Sequence, residues 1–195
     1  MGESFSGQEI LDSWPGHLWL EGRTIVHLKD GQERPTHMPR GPAAKSGTGF
    51  MNPAMAPART RSILLLQDAL RHGWINGKRP IRALDALCAT GIRVRRWKNE
   101  IEPDLLSRLH ITANDLDVNA LNWAIHSIES DVLNENSFLP DDEQNLPDFI
   151  ERNGIRFQHS DARLAMVQGS FQWIDVDPFG SPISFIDGAV QALGR

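Results

Sequence analysis

The feature that most constrains the fold of this chain is an alternation of short apolar runs with helical patterns. Strands are predicted at 81–87, 111–114, 155–158 and from Phe171 onward. Helices are predicted over 59–72, 92–101 and 148–152, and after Asp117, where Leu121, Ala124, Ile125 and Ile128 recur at helical spacing. Such alternation favours a parallel sheet with helices on both faces, so we expect an α/β, doubly wound fold.

Each predicted strand ends at or near an aspartate. These residues are Asp85, Asp115 with Asp117, Asp161 and Asp177. Ligands of open α/β sheets bind beyond the carboxyl ends of the strands, so a shared site is expected there. A carboxylate after the second strand suits the two hydroxyls of a ribose, and one after the third can accept from an adenine amino group.

The turn after the first strand has small residues that let a ligand approach the backbone closely. It reads Ala89-Thr90-Gly91 and does not contain the Gly-x-Gly-x-x-Gly pattern that seats a pyrophosphate. An adenosine without phosphates, as in S-adenosylmethionine, therefore fits better than NAD or ATP, and we assign Asp85 and Gly91 to its binding. Simpler roles stay open for single residues, since Asp85 or Asp115 could be caps and Gly91 a turn glycine.

The run from Phe171 to Pro182 reads as a buried strand that stops on an acid and enters a tight turn. Its Asp-Pro-Phe-Gly sequence brings together the Asp177 carboxylate, the Pro178 carbonyl and the Phe179 ring. These groups suit an enzyme that holds a planar base and its exocyclic amine. A turn without chemistry, with Phe179 in the core, is the alternative.

Composition sets broader limits. A chain of 195 residues with 40% hydrophobic content can bury one core. The single cysteine, Cys88, excludes an internal disulfide and favours a reducing compartment, so we expect a cytoplasmic protein. No metal site is expected, because the histidines lack ligand spacing, and no membrane span is expected, because no apolar stretch is long enough.

Charge is unevenly distributed along the chain. The formal net charge of -5 argues against a nucleic-acid partner, yet the segment from Arg23 to Arg61 is mostly basic. The segment from Glu129 to Glu151 carries acids and no lysine or arginine. The basic segment could contact phosphates, and a solvated loop is the other interpretation.

Five segments together resemble a known family, the tRNA guanine-N2 dimethyltransferases. These segments are 50–59 (FMNPAMAPAR), 85–93 (DALCATGIR), 113–117 (ANDLD), 160–164 (SDARL) and 175–182 (DVDPFGSP). Members of that family methylate guanine 26 of tRNA at N2, using S-adenosylmethionine. The resemblance implies a Rossmann-like class I methyltransferase fold, with tRNA as partner.

The resemblance also implies roles for single residues. Residues implied to contact the cofactor are Arg59, Arg93, Asp115, Asp161 and Ala162. Residues implied to serve the target base are Phe50, Asp177 and Phe179. From chemistry, Asp177 and the Pro178 carbonyl are expected to accept hydrogen bonds from the guanine amine. Phe50 could pack in the core instead, and Arg59 could contact a phosphate.

Two features depart from the family pattern. Met51 stands where a tyrosine is usual, and the family's fold continues beyond the position of Arg195. We therefore expect a sheet that is incomplete at the carboxyl end. Residues 1–62 are predicted to form a basic segment that covers the active site, and residues 63–195 to form the cofactor-binding core.

The function expected from these observations is transfer of methyl groups from S-adenosylmethionine to N2 of guanine 26 in tRNA. Two alternatives stay open. One is another amino-methyltransferase that acts on DNA or RNA. The other is a truncated or non-catalytic module that binds a nucleoside or RNA.

Overall fold

The computed structural model describes residues 17–28, 51–75, 80–128 and 149–193. In these ranges the strands are β1 (His17–Glu21), β2 (Thr24–Leu28), β3 (Ile81–Asp85), β4 (Leu109–Asp115), β5 (Phe149–Arg152), β6 (Ile155–His159) and β7 (Trp173–Asp175). The helices are α1 (Ala56–Arg71), α2 (Ile92–Glu100), α3 (Pro103–Leu106), α4 (Val118–Ile128), α5 (Ala162–Gln168) and α6 (Ile183–Ala192). None of these helices is long and apolar enough to cross a lipid bilayer.

Among the described residues, the main sheet has five strands in the order β5-β6-β4-β3-β7. Strands β6, β4, β3 and β7 run parallel, and they correspond to the four predicted strands. The fold class is therefore confirmed. The strand that begins the Phe171 run is shorter than predicted, because only Trp173–Asp175 pairs with β3, and it is half-buried at the edge of the sheet.

The helix predicted over 148–152 is wrong, because this segment forms β5 and pairs antiparallel with β6. Asn153 and Gly154 connect the two strands, and both have positive φ angles, of 49° and 73°. Asn-Gly is the sequence preferred for a two-residue hairpin turn with this backbone conformation. The sheet is consequently mixed, with one antiparallel strand at its edge.

Side chains alternate between the two faces of the sheet, and helices cover both. On one face, Ile81 and Ala83 of β3 join a core with residues of α1, α2 and α4. On the other face, Leu84 and Ala86 pack with α5 and α6. This two-sided covering is the doubly wound arrangement expected from the sequence.

The same alternation places the strand-end acids on one side. Asp85 follows Ala83 by two residues on β3, and Asp115 follows Ala113 in the same way on β4. Asp175 lies beside Asp85 in the register of β7 against β3. All three carboxyl groups therefore face the helices α1 and α2, at the carboxyl edge of the sheet.

The amino-terminal strands form a separate hairpin, with Glu21 paired to Thr24. Its Val26 packs with Met51 and with Ile92 at the start of α2. Helix α1 continues across the predicted division between residues 62 and 63. The segment 29–50, most of the basic region, and the acidic segment 129–148 lie outside the described residues.

Gly91 holds the turn between β3 and α2 in a conformation that other residues rarely adopt. Its φ is +70°, and a Cβ atom built on it would lie 2.9 Å from Cβ of Ala124 on α4. A side chain here would be strained and would also push α2 away from α4.

We therefore expect Gly91→Ala to lower the free energy of unfolding by about 1–3 kcal/mol, through backbone strain and overpacking. Urea unfolding followed by circular dichroism measures the change. Gly188→Ala is the matched control, because a Cβ at Gly188 on α6 would lie at an ordinary 3.5 Å from Met166. A Gly91→Ala variant as stable as the parent would show that the turn tolerates a side chain.

Candidate active site

A cavity of about 600 Å³ opens at the carboxyl ends of β3, β4 and β7. This volume falls within the range of about 300–1,000 Å³ that is typical of small-molecule sites. Its walls come from the turn after β3, from the start of α2, from the segment after β7 and from residues 51–59. The cavity therefore lies where open α/β sheets bind ligands.

Most of the residues predicted for the site line this cavity. They are Arg59, Asp85, Arg93, Asp115, Asp177, Pro178 and Phe179. Gly91, Asp161 and Ala162 are not part of its lining. Phe50 lies outside the described residues.

Arg93 connects two of the acids at this edge. Its Nη1 donates to Oδ2 of Asp175 at 3.0 Å, and its Nη2 donates to Oδ2 of Asp177 at 2.5 Å. Both hydrogen bonds are charge-assisted, and the one to Asp175 is largely shielded from water, because the Arg93 side chain is only 7% exposed and that of Asp175 13%. Arg93 was predicted to contact a cofactor, and the structure shows its guanidinium holding two carboxylates.

Asp85 is the most deeply buried of the acids, with 2% of its surface exposed. The pKa of its carboxyl is raised to about 7, chiefly by burial and also by the negative charges of Asp175, Asp177 and Asp115, while the charge of Arg93 acts in the opposite direction. Like charges side by side on paired strands destabilise a sheet. A neutral Asp85 beside Asp175 avoids this repulsion.

Asp115 ties two turns together. Its carboxylate accepts from the backbone N–H of Ala89 at 2.8 Å and from that of Asp117 at 2.9 Å. Burial raises the pKa of Asp115, although these hydrogen bonds act to lower it. A carboxylate has about four acceptor sites, so Asp115 keeps capacity for the hydroxyls of a ribose.

Thr90 offers the cavity an unused polar group. The residue is 1% exposed, and its hydroxyl has no hydrogen-bond partner in the part of the chain that the structure describes. A buried hydroxyl without a partner is costly, and it lies in the cavity lining next to Ala89. This orphaned group fits a site that takes a polar ligand.

Arg59 lines the cavity, but its guanidinium is hydrogen-bonded within a buried network. Its Nε and Nη2 donate to the two oxygens of Glu21, at 2.7 and 2.5 Å. Glu21 also accepts from Arg96 at 3.0 Å. Burial acts to raise the pKa of Glu21, and the hydrogen bonds from Arg59 and Arg96 outweigh it and hold that pKa below its usual value. The network fastens the β1–β2 hairpin to α1 and α2.

Met51, which departs from the family pattern, belongs to the same wall. Its sulfur accepts from Nη2 of Arg59 at 3.2 Å, and the side chain is buried against Val26 and Ile92. The thioether at this position therefore packs in the wall and accepts one weak hydrogen bond.

Asp161 and Ala162 begin helix α5 rather than lining the cavity. Asp161 caps this helix through the backbone N–H of Arg163 and also accepts from the Arg163 side chain at 2.6 Å. The hydrogen bonds from Arg163 lower the pKa of Asp161 to about 2. Ala162 is 3% exposed and packs in the core against Met166. Cofactor contact by these two residues stays a prediction.

Several residues at this edge were missed by sequence reasoning. Asp175 and Ser62 join the Arg93 cluster, and Asn114 donates to the backbone carbonyls of Ala86 and Ser160, linking the turns after β3 and β6. Asp175 had a readable signal, because it lies two residues before Asp177 and alternation puts both on one face. No such signal exists in the sequence for Ser62, since its hydrogen-bond partner, Asp175, is 113 residues away.

A solved structure is similar to this chain in its overall fold. Trm1 from Pyrococcus horikoshii, in complex with S-adenosyl-L-methionine, aligns with a TM-score of 0.57 and 25% identity, over 91% of this chain and 40% of that chain. The doubly wound sheet with an acid-lined cavity at its carboxyl edge is thus a Rossmann-like methyltransferase fold.

Sequence comparisons identify the family. The model of the N2,N2-dimethylguanosine tRNA methyltransferases matches residues 31–195, and the chain belongs to this family. A tRNA (guanine(26)-N(2))-dimethyltransferase from Pyrococcus furiosus is 33% identical over 148 residues, 75% of this chain and 34% of that protein. The enzyme of the same description from Methanobrevibacter smithii is 36% identical over 141 residues, 72% of this chain and 30% of that protein. The chain thus spans about a third of the length of these relatives.

The raised pKa of Asp85 makes stability depend on pH. Because its pKa is about 7 in the folded state and 3.8 for an ordinary aspartate, the folded state binds an extra proton between these values, and stability falls as pH rises through this window. We expect Asp85→Asn, which mimics the neutral acid, to stabilise the protein by about 1–3 kcal/mol at pH 8.

That gain should become small as pH falls toward 4, close to the ordinary aspartate pKa of 3.8, because Asp85 then increasingly carries its proton in the unfolded state as well. Urea unfolding between pH 4 and 8 measures it, with Asp104→Asn on the exposed surface of α3 as control. A difference between Asp85→Asn and the parent that does not change with pH would contradict the assignment.

Proposed function

We propose that the complete protein transfers methyl groups from S-adenosylmethionine to N2 of guanine 26 in tRNA. The observation that carries the proposal is that Asp177, Pro178 and Phe179 line the same cavity as Asp115. The groups that we propose for the target amine and for a ribose therefore line one cavity. Membership of the family and the descriptions of the relatives support the same activity.

The cavity suits an adenosine-based methyl donor. Asp115 would accept from the ribose hydroxyls, and the Thr90 hydroxyl would bond to a polar group of the ligand. When bound, S-adenosylmethionine supplies an electrophilic methyl group on a sulfonium. Asp85 also lines the cavity, and its pKa, raised to about 7 chiefly by burial, means that it carries only part of a negative charge near neutral pH.

The residues after β7 would hold the guanine. Asp177 and the carbonyl of Pro178 accept hydrogen bonds from the exocyclic amine, which turns the nitrogen lone pair away from conjugation with the ring. Phe179 is 53% exposed at the cavity mouth and offers its ring for stacking. Stacking of a base on an aromatic side chain is worth about 1–3 kcal/mol.

Asp177 would also take the proton that the amine releases. A methylated guanine amine that carries a positive charge is a strong acid, so a carboxylate paired with an arginine is basic enough to accept the proton. Arg93 contacts Oδ2 of Asp177, and a carboxylate has further acceptor sites for the amine. The 32% exposure of Asp177 gives this proton a path to solvent.

The amino-terminal region would cover the site and meet the tRNA. Its described part already supplies Met51, Asn52, Met55 and Arg59 to the cavity wall. We propose that Phe50, next to Met51 in the chain, stacks on the base, and that the basic residues of segment 29–50 contact phosphates. Exposing a guanine from folded RNA costs a few kcal/mol, which such contacts offset.

A cytoplasmic location completes the proposal. It agrees with the single cysteine of the chain, because Cys88 is buried and free. Burial also raises the pKa of its thiol, which keeps this group unreactive.

The direct test supplies the complete protein with S-adenosylmethionine and an unmodified tRNA transcript that has guanine at position 26. We expect N2-methylated guanosine in the nucleoside digest, and none from a transcript with adenine at that position. Cofactor binding without product would instead favour a non-catalytic module. Methylation of adenine or cytosine would favour another amino-methyltransferase.

Asp177→Asn tests the role of the carboxylate in the same assay. We expect a loss of about 100-fold or more in kcat, typical of removing a general base, with the dissociation constant of S-adenosylmethionine changed by less than about threefold. Asp104→Asn is the matched control at an exposed position of α3. An Asp177→Asn protein that turns over at the parent rate would remove this carboxylate from the mechanism.

A further inference from the structure

We infer that Ser62 and Asp175 are positioning residues, which hold the Asp177 carboxylate in its working orientation by acting through Arg93. The inference rests on the proposed function, since it concerns the same amine-binding carboxylate. Four groups on three separate elements form one continuous chain of hydrogen bonds. They are Ser62 on α1, Asp175 on β7, Arg93 on α2 and Asp177 after β7.

The chain of contacts runs through shared atoms. The hydroxyl of Ser62 donates to Oδ2 of Asp175. The same oxygen accepts from Nη1 of Arg93 at 3.0 Å. The other arm of the guanidinium, Nη2, donates to Oδ2 of Asp177 at 2.5 Å. Because a guanidinium is planar and rigid, fixing one arm fixes the direction of the other.

The cavity lining distinguishes the two ends of this series of hydrogen bonds. Ser62 and Asp175 are absent from the cavity lining, whereas Arg93 and Asp177 belong to it. The Asp175 side chain is 13% exposed, that of Arg93 7%, and that of Asp177 32%. Ser62 and Asp175 therefore reach the cavity through Arg93.

Arg93 has other acidic neighbours that could attract its guanidinium, so the orientation of this group has to be fixed. Its charge acts on the carboxyl of Asp85, and Asp115 is another acid of the same cavity. If the guanidinium turned toward either, Asp177 would lose the donor that fixes its rotamer. Asp175 holds Nη1 in place, and Ser62 fixes the oxygen of Asp175 that receives it.

Helix α1 provides a rigid base for the serine. The next residue, Ile63, is 3% exposed, and Leu66 one turn further on is fully buried, both in the main core. The Ser62 hydroxyl is therefore presented from a packed helix, and a misplacement of a catalytic group by about 1 Å can cost about 100-fold in rate.

Ser62→Ala in the complete protein tests the inference. We expect a single-turnover methylation rate about tenfold lower, the scale of one hydrogen bond to a charged group. The dissociation constant of S-adenosylmethionine and the melting temperature should stay close to those of the parent. Ser62→Thr, which keeps the hydroxyl, should retain most of the rate. Ser107→Ala is the matched control, because its hydroxyl bonds to the Asp104 carbonyl on distant α3.

A second measurement separates positioning from a general structural role. In the Asp177→Asn background, Ser62→Ala should cost less than about twofold more in rate, because the carboxylate through which it acts has gone. An equal loss in both backgrounds, or a loss of cofactor affinity in place of rate, would overturn the inference. If the parent methylates guanine and Ser62→Ala is as fast, only the inference fails. If the parent forms no N2-methylguanosine, the proposed function fails, and the inference falls with it.

Discussion

One guanidinium, that of Arg93, lies among the carboxyl groups at the ends of two parallel strands, β3 and β7. Parallel pairing brings Asp85 and Asp175 side by side, and the next residue of like orientation, Asp177, extends the same row. Without a cation the carboxylates at this edge would repel one another, since neighbouring strands are only about 4.8 Å apart. Arg93 bonds two of the acids, and burial leaves the third, Asp85, with a pKa raised to about 7. The shape of the cavity depends on this balance of charge.

A second ionic cluster holds the wall that faces these acids. Glu21 receives hydrogen bonds from Arg59 and Arg96, so the amino-terminal hairpin is attached to α1 and α2 by a nearly water-free network. Breaking a buried pair of this kind commonly costs about 3–5 kcal/mol, because one charge is left without a partner. The two clusters together explain how side chains from distant parts of the sequence form one cavity.

Sequence patterns predicted the parallel strands, the helices on both faces and the acids at the strand ends, because these features follow from local periodicity. The β5 strand was missed because residues 148–152 were predicted as a short helix, although Asn153-Gly154 marks a hairpin turn. Hydrogen bonds between residues that are distant in the chain could not be predicted from the sequence. Glu21 with Arg59 and Ser62 with Asp175 are joined only by the folded chain. Asp161 illustrates the opposite case, in which a neighbour two residues away, Arg163, occupies a carboxylate expected to face a ligand.

The account requires Asp177 to face the methyl donor across one cavity while Arg93 bridges Asp175 and Asp177. A crystal structure of the complete protein with S-adenosylhomocysteine tests this most directly. We predict the ribose against Asp115, the sulfur facing the Asp177 carboxylate, and both hydrogen bonds of Arg93 retained. A ligand bound outside this cavity, or an Asp177 side chain turned away from the sulfur with Arg93 released, would contradict the account.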